Sequence, residues 1–218
     1  MVLAQALDLE FNIAPRVYRI SFSTNVERVA LAAGHKGVEL EWIDVDPSDR
    51  SPVEAVSGQP LVPVLVEGGE VVFDSPAILA WLERRFPEPP LYPREPARRA
   101  EAQVFVDWFN QLWKRPPNLI AAELERPQPD MRRIDELGSR MRSALDIFES
   151  LLEGRDYLFG DFGVADVIAF PFLKYAAFGL PSGDDELFHR VLVEHMPLCD
   201  RYPQLRAWSE RVDAHPRS

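Results

Sequence analysis

The sequence predicts an α/β domain followed by an all-α domain. Three observations carry this reading. Residues 17–86 run through strand-period and helix-period apolar patterns in the order β-α-β-(α)-β-β-α. Phe86–Pro96, FPEPPLYPREP, then places five prolines in eleven residues, too many for a helix and suited to a stiff linker. From Ala97 onward the pattern is helical throughout. The expected organisation is an N-terminal extension at 1–16, the α/β domain at 17–86, the linker at 87–96 and the helical domain at 97–218.

Each element follows from local chemistry. Val17–Phe22 alternates and reads as a strand. Val26–Gly37 reads as a helix, with Val26, Val29, Ala30 and Ala33 on one face and Gly37 ending it. Leu40–Val45 is a second strand, and the polar, turn-rich Pro47–Gln59 has room for a short helix. Leu61–Val66 and Val71–Phe73 flank Glu67-Gly68-Gly69-Glu70, a strong hairpin signal. Ser75 as N-cap and Pro76 as first helical residue start a helix whose apolar face is Ile78, Leu79, Trp81, Leu82 and Phe86. Two parallel strands joined by a helix and followed by a hairpin make a mixed sheet covered by helices.

In the second half, Val104, Phe105, Trp108, Phe109 and Leu112 mark one face of a helix over Ala97–Trp113. Lys114-Arg115-Pro116-Pro117 breaks or kinks it. Ile134, Leu137, Met141, Leu145, Phe148 and Leu152 step through the next helix. Val164–Phe178 is nearly all apolar and reads as a buried central helix, and Pro203–His215 as an amphipathic closing one.

Composition narrows the function classes. Formal net charge is -11, which argues against nucleic acid or an anionic membrane as partner, since both need a basic face. The single cysteine, Cys199, excludes an intrachain disulfide and a cysteine-rich metal site. His195 and Cys199 stand four apart, but Met196-Pro197 between them disfavours a shared helix face, so no metal is expected. No apolar run is long enough to span a membrane, and Met1–Glu10 lacks the basic start of a secretion signal, so the expectation is a cytoplasmic protein.

Chemistry concentrates at two strand–helix joints. At Leu61–Val66 the strand proline Pro63 cannot donate to a ladder; with a cis Val62–Pro63 bond, Val62 turns its N–H and C=O outward to pair with an extended peptide. The helix start at Asp74-Ser75-Pro76 suits a carboxylate, because free N–H groups and the dipole point at it. Together these suggest a small acidic peptide-like ligand. At the other joint Ser23, Thr24 and Asn25 precede a helix. They either simply cap it, or one of them also donates a hydrogen bond to a ligand thiolate. A free thiol titrates near ~8.5, so such a donor at a helix N-terminus promotes the anion without any protein nucleophile.

These residues carry a resemblance. Over about residues 17–217 the chain resembles the cytosolic glutathione transferases, serine type. Val62-Pro63-Val64-Leu65 resembles their cis-proline strand, and Asp74-Ser75 their acidic-Ser pair. Ser23-Thr24-Asn25-Val26-Glu27-Arg28-Val29 is similar to a phi-class segment, and Gly163-Val164-Ala165-Asp166 to the capping box of the second domain's buried helix. The resemblance implies a thioredoxin-like first domain, an all-helical second one and glutathione as co-substrate. It implies a homodimer, an apolar electrophile bound between the domains, and a detoxification role. Ser23 would be the thiol-activating hydroxyl, with Thr24 and Asn25 beside it as alternative donors. Val62, presented by Pro63, would pair with the cysteinyl part of glutathione, and Asp74 and Ser75 would hold its γ-glutamyl end.

Three departures from the family pattern stand out. Leu61 occupies a position often held by a ligand-binding Gln, and Gln59 is the nearest substitute. Arg50 is the only candidate for the glycine carboxylate in Asp46–Pro52, and Gly163 replaces Ser or Thr. Trp108, Phe109 and Trp113, like Phe170, Phe172, Tyr175 and Phe178, fit core or dimer surface better than an electrophile pocket. Tyr18 and the paired arginines likewise read as structural. Thiol–disulfide exchange needs a cysteine at the first joint, and Ser23, Thr24 and Asn25 supply none. The remaining alternative is a non-catalytic scaffold or ligand-binding protein of the same fold.

Overall fold

The computed structural model of the protein describes residues 14–218; most of the expected extension at 1–16 lies outside the described residues. Four short strands form one mixed sheet in the order β2-β1-β3-β4. The first, β1 (Arg16–Arg19), runs parallel to β2 (Glu41–Asp44) and antiparallel to β3 (Val64–Glu67), and β3 pairs with β4 (Glu70–Phe73). The β3–β4 turn has Gly68 and Gly69 at φ 56° and 87°, the positive values that a two-residue primed hairpin turn demands. The ladder is shorter than the apolar runs. Ser23 N–H already bonds the Ile20 carbonyl as the chain turns into a helix, and Leu61–Pro63 stays outside β3.

Period-two alternation sorts the sheet's two faces. Val17 and Leu65 face α1 (Thr24–Lys36) and α3 (Ser75–Arg85), in a core shared with Val29, Leu31, Ile78 and Leu82. Val64 and Tyr18 face the other way, with Val53 of α2 (Ser51–Ser57). This is the structural role expected of Tyr18. Ser23 caps α1, its Oγ accepting from Val26 N–H at 3.4 Å, and Gly37 closes the helix in the left-handed region. The cap of α3 is a correction: it is Asp74, one residue before the Ser75 expected, and the Ser75 hydroxyl is used elsewhere.

The helical half comprises α4 (Pro96–Trp108), α5 (Arg115–Leu124), α6 (Met131–Leu151), α7 (Val164–Phe178), α8 (Leu187–His195) and α9 (Pro203–Asp213). Between α4 and α5 lies a π-helical turn, Phe109–Trp113, and Pro116-Pro117 falls in the first turn of α5, where a missing N–H is harmless. The central α7 is buried as expected, with Val167, Ile168, Phe170 and Phe172 sealed in the core. Asp166 anchors its start, accepting from the N–H groups of Gly163 and Leu158 at 3.0 Å and from Trp208 Nε1 at 2.7 Å. Burial outweighs these three donors and pushes the Asp166 carboxyl up to about 6.

Several contacts join the two halves, those of Arg28 and Ser218 among them. Arg28 of α1 donates Nε and Nη2 to the Ile168 carbonyl of α7, at 3.0 and 2.9 Å. The C-terminal Ser218 returns to the sheet, its carbonyl accepting from Trp42 Nε1 at 3.0 Å. This tail runs so close to α1 that a Cβ on Gly34 would lie 2.1 Å from the Pro216 carbonyl oxygen, so only glycine fits there. No helix among the described residues is long and apolar enough to cross a membrane.

Candidate active site

Both joints place a non-glycine residue in the left-handed region immediately before a serine: Phe22 at φ 62° before Ser23, and Asp74 at φ 70° before Ser75. Such backbone is costly for a bulky residue and persists where the surroundings impose it. The two helix starts that follow lie close enough for Ser75 Oγ to donate to Asn25 Oδ1 at 3.4 Å.

A cavity of about 220 Å³ opens beside the first joint. Ser23, Thr24 and Asn25 line one side, Leu61 and Val62 another, with Arg50 at its rim. The Val62–Pro63 bond is cis, as the sequence reading expects. Among the described residues, neither backbone polar group of Val62 has a backbone partner, so both remain for an extended ligand. Ser23 accepts through Oγ as a cap, and its O–H is left to donate into the cavity. Arg50 bonds the carbonyls of Pro47 and Pro60 through Nε and Nη1 and keeps the rest of its guanidinium for the cavity.

Asp74 and Ser75 lie outside the cavity lining; Ser75 joins it through Asn25, and Asp74 is its chain neighbour. The Asp74 side chain is exposed and makes no ion pair among the described residues, which leaves it available to an ammonium. Gln59 is turned away: Leu61 N–H donates to its Oε1 at 2.7 Å, and its Nε2 donates to the Leu61 carbonyl and Ser57 Oγ, both at 3.0 Å. Pro63 is buried. The structure thus gathers Ser23, Thr24, Asn25 and Val62 round one cavity, attaches Ser75 and Asp74 to it, and leaves Gln59 out.

Behind the site sit two cations whose importance the sequence reading missed. Arg28 is fully buried, and Nη1 donates to Asn25 Oδ1 (3.1 Å), Ser75 Oγ (3.1 Å) and Asn110 Oδ1 (3.0 Å). Its guanidinium also lies 4.7 Å from the centre of the Phe172 ring. Burial pulls its pKa down to about 9, partly opposed by the Asp74 charge. Lys114, just after the π-helical turn, reaches Asn25 Oδ1 at 3.3 Å. Burial first, then Arg28, lower it to about 8, with Asp74 opposing. Two partly compensated positive charges therefore converge on Asn25 between the helix starts, which makes the local potential favourable to an anion. Arg28 was visible as a motif residue and Lys114 only as part of a helix break; nothing local indicated that either reaches Asn25.

Of the aromatic residues expected in the core or a dimer surface, Trp108 is partly buried. Phe109, Trp113, Phe170, Phe172 and Tyr175 are core, whereas Phe178 is exposed. Arg84 and Arg85 pair with Glu70 and Glu67 at the surface. Three larger hollows, of about 520, 360 and 610 Å³, lie on the α5–α6 face, between Pro90–Glu95 and the start of α7, and on the α4–α6 face. None contains the polar groups of the joints, so the smaller cavity is the better candidate.

A thioredoxin-like domain followed by an all-helical domain is the class this architecture defines. Residues 17–90 match the family described as glutathione S-transferase, N-terminal domain, and residues 132–211 match glutathione S-transferase, C-terminal domain. The chain belongs to the glutathione S-transferase family. It is 27% identical over 219 residues to the probable glutathione S-transferase GSTF1 of Oryza sativa subsp. japonica, covering 92% of each chain. It is 36% identical over 146 residues to FtsZ-localized protein A of Caulobacter vibrioides, covering 61% of this chain and 64% of that one. The crystal structure of a glutathione S-transferase from Rhodospirillum rubrum F11 superposes with a TM-score of 0.72 at 27% identity, over 93% of this chain and 89% of that one.

Proposed function

We propose that this protein is a glutathione transferase of the serine type, in which Ser23 hydrogen-bonds the glutathione thiolate and an apolar electrophile is attacked. The observation that carries this is the convergence of the Ser23 hydroxyl and the unpaired backbone of Val62 on one cavity. In this reading the cysteinyl part of glutathione adds to the sheet edge at Val62. Its γ-glutamyl ammonium meets Asp74, and the carboxylate beside it meets the start of α3, with Lys114 and Arg28 behind. Arg50 meets the glycine carboxylate. The helix N-terminus and the Ser23 O–H favour the anionic sulfur, so position and dipole supply catalysis. No protein group forms a covalent bond with glutathione or the electrophile.

The active form is a homodimer and cytoplasmic. Val104 and Ile147, 68% and 46% exposed, lie with Trp108 along the α4–α6 groove, a large apolar face suited to a second copy. A second reading, a scaffold without transferase chemistry, draws on the likeness to a protein named for its localisation with FtsZ. One experiment separates the two. Glutathione binding is measured by calorimetry and turnover with a chromogenic chlorinated arene. Binding with turnover is the transferase result, binding without turnover toward any of a panel of electrophiles is the scaffold result, and no binding removes the transferase reading and leaves the scaffold.

A further inference from the structure

His189 of α8 lines the same cavity as Ser23, and the serine mechanism leaves it unused. The residue is only 5% exposed. Its Nδ1 lies 2.8 Å from each carboxylate oxygen of Asp184. A carboxylate can only accept, so Nδ1 carries a proton, and in the neutral ring it is Nε2 that presents a lone pair. The Tyr175 hydroxyl donates to Asp184 at 2.8 Å, and the Glu186 N–H at 3.3 Å. The Tyr175 ring stacks on the imidazole with centroids 4.5 Å apart, so the ring is held from its edge and its face. Among the described residues Nε2 has no hydrogen-bond partner, and the only buried side-chain polar atom left stranded is Trp113 Nε1, so His189 Nε2 is not sealed in the core. The loop that carries Asp184 rests on the first joint: the Cβ position of Gly183 is 3.9 Å from the Phe22 ring, next to Ser23.

We propose that His189 is a second catalytic residue, the base that takes the thiol proton of glutathione while Ser23 hydrogen-bonds the sulfur. This rests on the reading of the cavity as a glutathione site. The S–H bond breaks with its electron pair left on sulfur, and the proton passes to the Nε2 lone pair. The resulting imidazolium faces Asp184, as in other carboxylate–imidazole pairs that orient a base. The thiolate pair then forms the C–S bond, and the leaving group departs with the electrons of its own bond to carbon. Nε2 returns the proton to that leaving group, and the neutral imidazole is restored. The charged and titratable groups round His189 are Asp184 and Tyr175, with Glu186 on its own side of the cavity and Arg50 across it.

A serine donor alone would send the thiol proton to solvent; a base in the site keeps it on the protein. The test follows the His189 imidazole resonances of the isotopically labelled whole protein at pH 7, assigned through bonds. Saturating glutathione is compared with S-methylglutathione, whose sulfur has no proton to give. The expected result is an imidazolium in the glutathione complex and a neutral ring in the S-methylglutathione complex. His189→Gln should in addition cut thiolate absorbance at pH 7 by about tenfold, the equivalent of one pKa unit, with glutathione affinity changed by no more than a few-fold. A neutral His189 in a glutathione complex that does contain thiolate overturns the proposal, and this holds whether or not the variant folds. Failure of glutathione to bind overturns it together with the site reading, whereas a neutral His189 with glutathione bound leaves the site reading intact.

Discussion

Arg28 Nη1 lies 3.1 Å from the Ser75 hydroxyl, so a fully buried cation in α1 holds the first turn of α3. The same guanidinium grips the Ile168 carbonyl of the central helix. One side chain thereby fixes both joints of the site against the second domain. Its other partners are neutral, which makes its hydrogen bonds the main compensation for burying the charge. Arg28→Leu should lower stability by about 1–3 kcal/mol, because it strands the buried acceptors at Ile168, Ser75 and Asn110, and denaturant unfolding measures it. Arg28→Lys should rescue only part of this, since an ammonium cannot span Ile168, Ser75 and Asn110 at once.

Asp74 carries no such structural load. Its exposed carboxylate has no ion-pair partner among the described residues. Asp74→Ala should weaken glutathione binding by about 1.5–3 kcal/mol, the range for a hydrogen bond to a charged group. Calorimetry checks this. Equal affinity for variant and wild type would remove Asp74 from the site.

Lys114 is a half-buried cation whose charge the folded state disfavours. It loses its proton near pH 8 in the folded protein, against an ordinary value of 10.5. Between these values the unfolded chain binds more protons, so this residue makes stability rise with pH; below about 8 its penalty is complete. Lys114→Met should therefore be more stable than wild type at pH 7, by about 1–3 kcal/mol. The gap should close as pH rises from 8 toward 10.5, and parallel urea titrations at pH 7 and 9.5 read it out.

The α4–α6 groove gives a separate prediction. Val104→Asp places a charge in the middle of the exposed apolar face. It should convert a dimer to a monomer in light scattering while leaving the far-ultraviolet circular dichroism unchanged. A monomeric wild type would contradict the dimer assignment.

What could be read in the sequence was mostly local. The hairpin at Gly68-Gly69 and the buried α7 each follow from residues adjacent in the chain, whereas at the first joint Ser23, Thr24 and Asn25 are equally good caps and α1 takes in the last two, two residues before the expected start at Val26. The α3 cap was misplaced by one residue because Asp and Ser are both good caps, and only the tertiary partner of Ser75 distinguishes them. The π-helical turn has no signature, since Phe109 and Trp113 stand four apart as in any α-helix. The α8 helix lay among the acidic residues of the loop before it, although Phe188, Val191 and Leu192 repeat at three and four. Arg28, Lys114 and His189 could not be assigned at all. Arg28 meets Ile168 across 140 residues of chain, and Lys114 meets Asn25 across 89. Such meetings are products of how the two halves dock, which local pattern does not encode.

The central claim is that the Ser23 hydroxyl stabilises the thiolate of bound glutathione. The most direct measurement is the ultraviolet thiolate absorbance of the glutathione complex against pH, for wild type and Ser23→Ala. The predicted result is a rise of the midpoint by one to two pKa units, about 1.4–2.7 kcal/mol, with glutathione affinity within a few-fold and turnover reduced in step. An unchanged midpoint together with unchanged turnover in Ser23→Ala would contradict it.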